Sequence, residues 1–204
     1  MAGNPPARTG FGYLLSGYGG DGLELEEKTV SSRLIFDGKV VHLYKDTVRL
    51  PDGAESVREY VKHIGAVCIL PLTDDGEVIL ERQYRYAVRQ ILTEIPAGKL
   101  DAPDEDPLEA AKRELREETG ATAREMIPLG DYYGSPAILG ERIRMFLAKG
   151  LTFGETEFDE DEFLEVFRLP LDEAEAAVLR GEIPDGKTQA AILRAAAMRR
   201  AGKI

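Results

Sequence analysis

Tryptophan is absent, cysteine occurs once and histidine twice. No run of about 18 consecutive apolar residues is present, so no membrane-spanning helix is expected. The opening stretch MAGNPPARTG lacks an apolar core and is not read as a secretory signal. A single thiol, Cys68, excludes an internal disulfide and fits a reducing cytoplasm. It sits in the apolar stretch GAVCILPL, where a small core residue is expected. Basic residues are few against acids, 26 to 37, and the net charge is −11. Such a chain repels polyanions, so nucleic acid is not an expected partner. A small phosphate ligand remains compatible if it arrives with cations or meets locally placed arginines. His42 and His63 fall in expected strands without other metal-ligating side chains nearby, and both read as structural. GYGG near the N-terminus has no lysine or helix at the spacing of a phosphate loop.

What is present is a succession of β-rich runs around one strong helix. Residues 1–28, rich in Gly and Pro, read as a loosely structured arm. SRLIFDGKVVHLYKDTVRLPDG reads as a hairpin with a two-residue Asp37-Gly38 turn, and ESVREYVKH continues in extended form. IGAVCILPLT is nearly all apolar and predicts a strand buried on both faces. EVILERQYRY and ILTEIPAG follow as strands. Beyond the helix come REMIPLGDYYG, RIRMFLAKGL and FLEVFRLPL, with the acidic loop GETEFDEDEF before the last. LDEAEAAVLRG and DGKTQAAILRAAAMRRA read as two closing helices. Strands on both sides of a central helix imply a mixed sheet covered by helices, an α/β fold.

The central helix spans Pro107–Thr119, with Asp106 as cap, Pro107 in the first turn and Gly120 as stop. At about 100° per residue, Glu114, Glu117 and Glu118 fill one arc beside the apolar stripe of Leu108, Ala111 and Leu115. Lys112, Arg116 and Glu109 fall on the far side. Like charges three and four apart destabilise a helix. They are tolerable either as a solvated face laced with ion pairs or as a divalent-cation platform. The preceding IPAG loop can add a backbone carbonyl to such a platform.

GKLDAPDEDPLEAAKRELREETGA, residues 98–121, resembles the box of the Nudix family, G-x5-E-x7-R-E-U-x-E-E-x-G-U with U aliphatic. Arg113-Glu114-Leu115-x-Glu117-Glu118-x-Gly120-Ala121 fits without a gap, and seven residues separate Glu105 from Arg113. Six residues instead of five lie between Gly98 and Glu105, a one-residue loop insertion. ERQYRY, EIPAGKL, GSPAILGERIRMFLA, DEDEFLEV and GEIPDGKTQAAILRA extend the resemblance toward the ADP-ribose pyrophosphatase branch. Pro136 stands where that branch carries a proline, sixteen residues past Gly120.

The resemblance implies a Nudix α/β/α sandwich with a mixed sheet, plus an N-terminal antiparallel β-arm. Residues 1–28 would be the arm, 29–62 a β-hairpin dimerisation region and 63–204 the catalytic domain. It implies hydrolysis of the diphosphate bond of ADP-ribose or a related nucleoside diphosphate sugar, with Mg²⁺, or Mn²⁺, as cofactor. The expected assembly is a cytoplasmic homodimer joined through the arm. Glu114 and Glu118 would be the principal metal ligands, with Glu117 and the Ala97 carbonyl assisting. Arg113 would orient the acids through Glu105. Glu162 would serve the attacking water, with Glu160 as fallback. Arg85 would meet the phosphates, Glu94 the distal sugar, and Arg58 the partner subunit's site. Glu141 in GER could reach the metals, but a structural pairing with Arg142 or Arg144 is the expectation. With no tryptophan to stack on a base, a Tyr or Phe of the arm or hairpin would do so. Alternatives are a GDP-hexose or dinucleotide hydrolase, or a non-catalytic Nudix ligand-binding module.

Overall fold

The computed structural model describes residues 25–157 and 163–204. The chain divides into two compact units, one holding residues up to Arg33 with Lys45–Arg58, the other Leu34–Tyr44 with Glu59–Ile204. Strands β1 (Lys28–Asp37), β2 (His42–Arg49) and β3 (Glu55–Lys62) form a sheet in the order β1-β2-β3. The hairpin is therefore a three-stranded sheet. Its first turn is also longer than expected: residues 38–41 connect the strands, and the Gly38 N–H donates to the Val41 carbonyl at 2.9 Å. A two-residue turn needs positive φ at its centre, and Gly38 is not in that region. All ten residues of β1 are exposed.

In the second unit, β4 (Ala66–Pro71) is buried along its whole length. It pairs in parallel with β9 (Ile143–Phe153) and antiparallel with β7 (Ala97–Lys99), and β8 (Ala121–Tyr132) closes the order β7-β4-β9-β8. Period-two alternation divides its side chains between two cores. Ala66, Cys68 and Leu70 join Met145 and Leu147 against Ile192 and Ala195. Val67 and Ile69 join Phe146 and Ala148 against Ala111 and Leu115. The first core is covered by α2 (Leu171–Leu179) and α3 (Gly186–Arg200), the second by α1 (Pro107–Thr119). A helix layer on each face follows from an apolar run with no polar side. Burial pushes the Cys68 thiol up to about 12, which makes it a packing residue and not a nucleophile.

A second sheet runs β10-β5-β6, with β5 (Glu77–Arg85) between β10 (Glu165–Pro170) and β6 (Gln90–Glu94). ILTEIPAG is accordingly two strands. β6 pairs with β5, and β7 pairs with β4 in the other sheet. The switch falls at Ile95-Pro96, where proline has no N–H to extend a ladder; its carbonyl accepts from the Ile69 N–H at 2.9 Å. Among the described residues no helix is long and apolar enough to cross a membrane.

Helix α1 ends as its sequence dictates. Asp106 accepts from the Leu108 N–H, and Gly120 takes the left-handed conformation at φ 67°. A Cβ at Gly120 would lie 2.5 Å from the Gly154 carbonyl oxygen. Gly120→Ala therefore combines an unfavourable φ with a backbone clash. We expect a loss of about 2 kcal/mol in urea unfolding; an unchanged midpoint would contradict this account of the helix end.

Candidate active site

The acids of α1 sit where the wheel places them. Glu114 and Glu118 are buried, and Glu117 keeps 29% of its side chain exposed. Glu118 accepts the Ala97 N–H at 2.9 Å, so the β6-to-β7 segment holds one of its oxygens. Arg113 lies across the row: Nη1 donates to Glu114 at 2.7 Å and to Glu117 at 3.3 Å. Nη2 reaches Glu105 at 3.4 Å and the Lys99 carbonyl at 3.3 Å, and Asp101 stands 3.3 Å from Nε. Burial alone would lower the Arg113 pKa; Glu114 and Asp101 outweigh it and raise it. The guanidinium is thus a permanent cation facing four carboxylates. Gly98 closes over the row, and a Cβ there would fall closer than 3.0 Å to the Glu114 carboxylate.

This row borders a cleft of about 350 Å³ lined by Ile64, Gly98, Arg113, Glu114, Glu117 and Glu157. Glu157 is fastened there because its N–H donates to the Glu117 carbonyl at 2.9 Å. A second cavity, of about 470 Å³, shares Gly98 and Lys99 with the cleft. Its charged lining is Arg85, Glu94, Glu141, Asp185 and Lys187, with Lys99 at the shared wall. Arg85 grips Glu94 in a bidentate pair, Nε–Oε1 2.7 Å and Nη2–Oε2 2.8 Å. Lys187 donates to the same carboxylate from the buried side and to Asp185 at 3.1 Å. Burial would raise the Glu94 pKa, but the Arg85 hydrogen bonds and the Lys187 charge hold it down at about 2. Glu94 is a fixed anion at neutral pH, and Arg85 a fixed cation with 41% of its side chain open.

Residues 62–192 match the family model described as NUDIX domain. The chain belongs to the Nudix family. Residues 27–61 match a second model, the nucleoside diphosphate sugar hydrolase N-terminal domain. This Nudix chain is 45% identical to the ADP-ribose pyrophosphatase of Bacillus subtilis, over 82% of its own length and 91% of the relative's. It is 42% identical to the methanol dehydrogenase activator of Bacillus methanolicus, with the same coverage. A solved structure titled as an ADP compounds hydrolase superposes with a TM-score of 0.75 at 22% identity, covering 88% of this chain and 98% of that one. That likeness establishes the fold, a Nudix mixed sheet between helix layers.

Nudix hydrolases use divalent metal ions. The α1 acids suit such an ion in donor type and in charge. Their carboxylate oxygens are hard donors, and one guanidinium against four carboxylates leaves the row net negative. Among the described residues, however, no three such side chains converge on a common point. Arg113 Nη1 bridges Glu114 and Glu117, and the Ala97 N–H engages one oxygen of Glu118, so part of the expected platform is bonded to the protein itself.

Other expected residues fall variously. Ala97 meets Glu118 through its amide. Arg58, on β3, pairs with Glu27 in the first unit, its Nε 2.9 Å from Oε2. Glu160 and Glu162 lie outside the described residues, as do residues 1–24 of the arm. Among the described residues, Glu141 pairs with neither arginine. Its carboxylate lies 3.6 Å from His63 Nε2, and Arg142 turns instead to Asp131 at 2.7 Å. His63 Nδ1 accepts the Gly65 N–H, and His42 pairs with Asp37 at 2.6 Å. Sequence reasoning missed Asp185 and Lys187 as site-lining residues. The only local signal was Asp185 as a helix cap; nothing local tells that the lysine two residues on points inward.

Proposed function

We propose that this Nudix protein hydrolyses the diphosphate bond of a nucleoside diphosphate sugar, ADP-ribose foremost, releasing a nucleoside monophosphate and a sugar phosphate. The observation that carries the reading is the shared Gly98–Lys99 wall between an acidic cleft and a cavity with a fixed cation–anion pair. A diphosphate spanning that wall puts phosphate oxygens within reach of Arg85 and its sugar end in the cavity. The relation to the Bacillus subtilis ADP-ribose pyrophosphatase supports ADP-ribose as first choice.

In this reading Glu114 and Glu118 hold Mg²⁺, or Mn²⁺, with Glu117 and the Ala97 carbonyl assisting. The bound ion supplies charge neutralisation for the diphosphate and for its departing phosphate. Arg113 keeps Glu114 and Glu117 in place through its shared Nη1. Glu162, with Glu160 as fallback, accepts the proton of the water that attacks phosphorus. Arg85 binds phosphate oxygens; Glu94, the residue expected at the sugar, is 1% exposed with both oxygens engaged, and it serves the substrate by holding Arg85. The domain division is 1–28, 29–62 and 63–204. Exposed Val30, Leu34, Ile35 and Phe36 on β1 suit coverage by a second copy, and Arg58 reaches the partner's site in that homodimer. The reducing cytoplasm suits the lone thiol.

The test is phosphate release, coupled to a phosphatase, from a panel of ADP-ribose, GDP-mannose and a dinucleotide with Mg²⁺. ADP-ribose is expected to lead by at least about tenfold in kcat/KM. No turnover of any member with Mg²⁺ or Mn²⁺ would contradict the reading and favour a ligand-binding module.

A further inference from the structure

The turn that opens α3 lies far along the chain from the acid helix, yet its side chains fasten the segment between the two halves of the site. Asp185 caps the helix, accepting the Thr188 N–H at 2.9 Å and the Thr188 hydroxyl at 2.6 Å. With its proton committed to Asp185, the Thr188 oxygen accepts the Ile95 N–H at 2.9 Å. Thr188 is fully buried, and Lys187 is 8% exposed. Lys187 joins Asp185 to Glu94, the residue preceding Ile95. Two positions beyond Ile95, the Ala97 N–H holds Glu118. An unbroken path of side-chain and backbone bonds thus runs from the α3 turn to both Arg85 and Glu118.

We infer that Asp185, Lys187 and Thr188 form a positioning element for the reaction, with a separable effect on each half of the site. The inference rests on the function proposed above. Lys187 acts through Glu94 on Arg85. Both Glu94 oxygens are engaged by Nε and Nη2 of Arg85, which leaves Nη1 without a protein partner among the described residues and available to a ligand in the cavity. Without the buried ammonium, Glu94 is compensated from one side only, and the clamp loses its inner anchor. Thr188 acts through Ile95 on Ala97. Without its oxygen, the Ile95 N–H is buried with no acceptor and the segment must shift to relieve it. That shift moves the amide that orients Glu118, and outer partners of metal ligands set affinity.

Two variants read the two halves. Lys187→Met is expected to raise KM for ADP-ribose about tenfold, with kcat within about threefold and Mn²⁺ affinity unchanged. Lys187→Arg, which keeps the cation, is expected to recover most of the KM. Thr188→Val, nearly isosteric, is expected to weaken Mn²⁺ binding about tenfold by electron paramagnetic resonance, with no substrate present. All are measured well below each variant's Tm. A lower Tm with KM and Mn²⁺ affinity both unchanged would make the turn a structural latch and overturn the inference. So would equal impairment of the Met and Arg variants, or loss of Mn²⁺ affinity in Lys187→Met. If the wild-type protein turns over no nucleotide sugar, the proposed function fails, while the Mn²⁺ arm still decides the Thr188 half.

Discussion

Glu118→Gln lowers kcat by about 10²–10³-fold and leaves the fold intact; this is the larger of two effects expected at the acid helix. The substitution is close to a pure charge test. Glutamine keeps an oxygen that can accept the Ala97 N–H now bonded to Glu118 at 2.9 Å, and it keeps the side-chain volume. What it removes is one negative charge at a position 3% exposed. A divalent ion held by carboxylates loses a ligand of the right type, because a neutral amide oxygen neither repels its neighbours nor neutralises the ion. The measurement is steady-state turnover of the best panel substrate, with thermal unfolding beside it. Equal kcat in the two proteins would remove Glu118 from the metal site, whatever Glu114 does.

Gly98→Ala tests the same site from the opposite wall, by adding one methyl group. The new Cβ would collide with the carboxylate of Glu114, the far end of a flexible side chain. The side chain swings away and the backbone stays, so unfolding free energy should change by less than about 1 kcal/mol. The cost appears in chemistry. Glu114 leaves the place where Gly98 and Arg113 had confined it, and a displacement of about 1 Å at a catalytic group is worth about 10²-fold in rate. The expected result is a kcat/KM about 10²-fold down at near-normal stability. Normal activity would mean that the Glu114 position seen beneath Gly98 is not the one the reaction uses.

Local signals made much of the fold legible. Asp106, Pro107 and Gly120 set the ends of α1, because capping, a proline in the first turn and a left-handed stop act within a few residues. The run Ala66–Pro71 told its burial on both faces, because no polar residue interrupts it. The wheel placed Glu114 and Glu118 at the edge of the apolar stripe, and both are buried there. What the chain did not tell is which distant partner each side chain meets. Lys187 and Glu94 are 93 positions apart, and no period relates them. Arg113 gathers carboxylates from its own helix and from the preceding loop, so acids that read as one platform are partly satisfied by a neighbouring arginine. The passage from one sheet to the other at Ile95-Pro96 was hidden because two short strands in sequence look like one.

The central claim is that the edge of α1 holds a divalent cation. Titration of the metal-free protein with Mn²⁺, followed by electron paramagnetic resonance, tests it without substrate or turnover. The account predicts saturable binding by the wild-type chain, weakened at least about tenfold in Glu118→Gln. Equal binding by the two proteins, or no saturable binding by either, would contradict it.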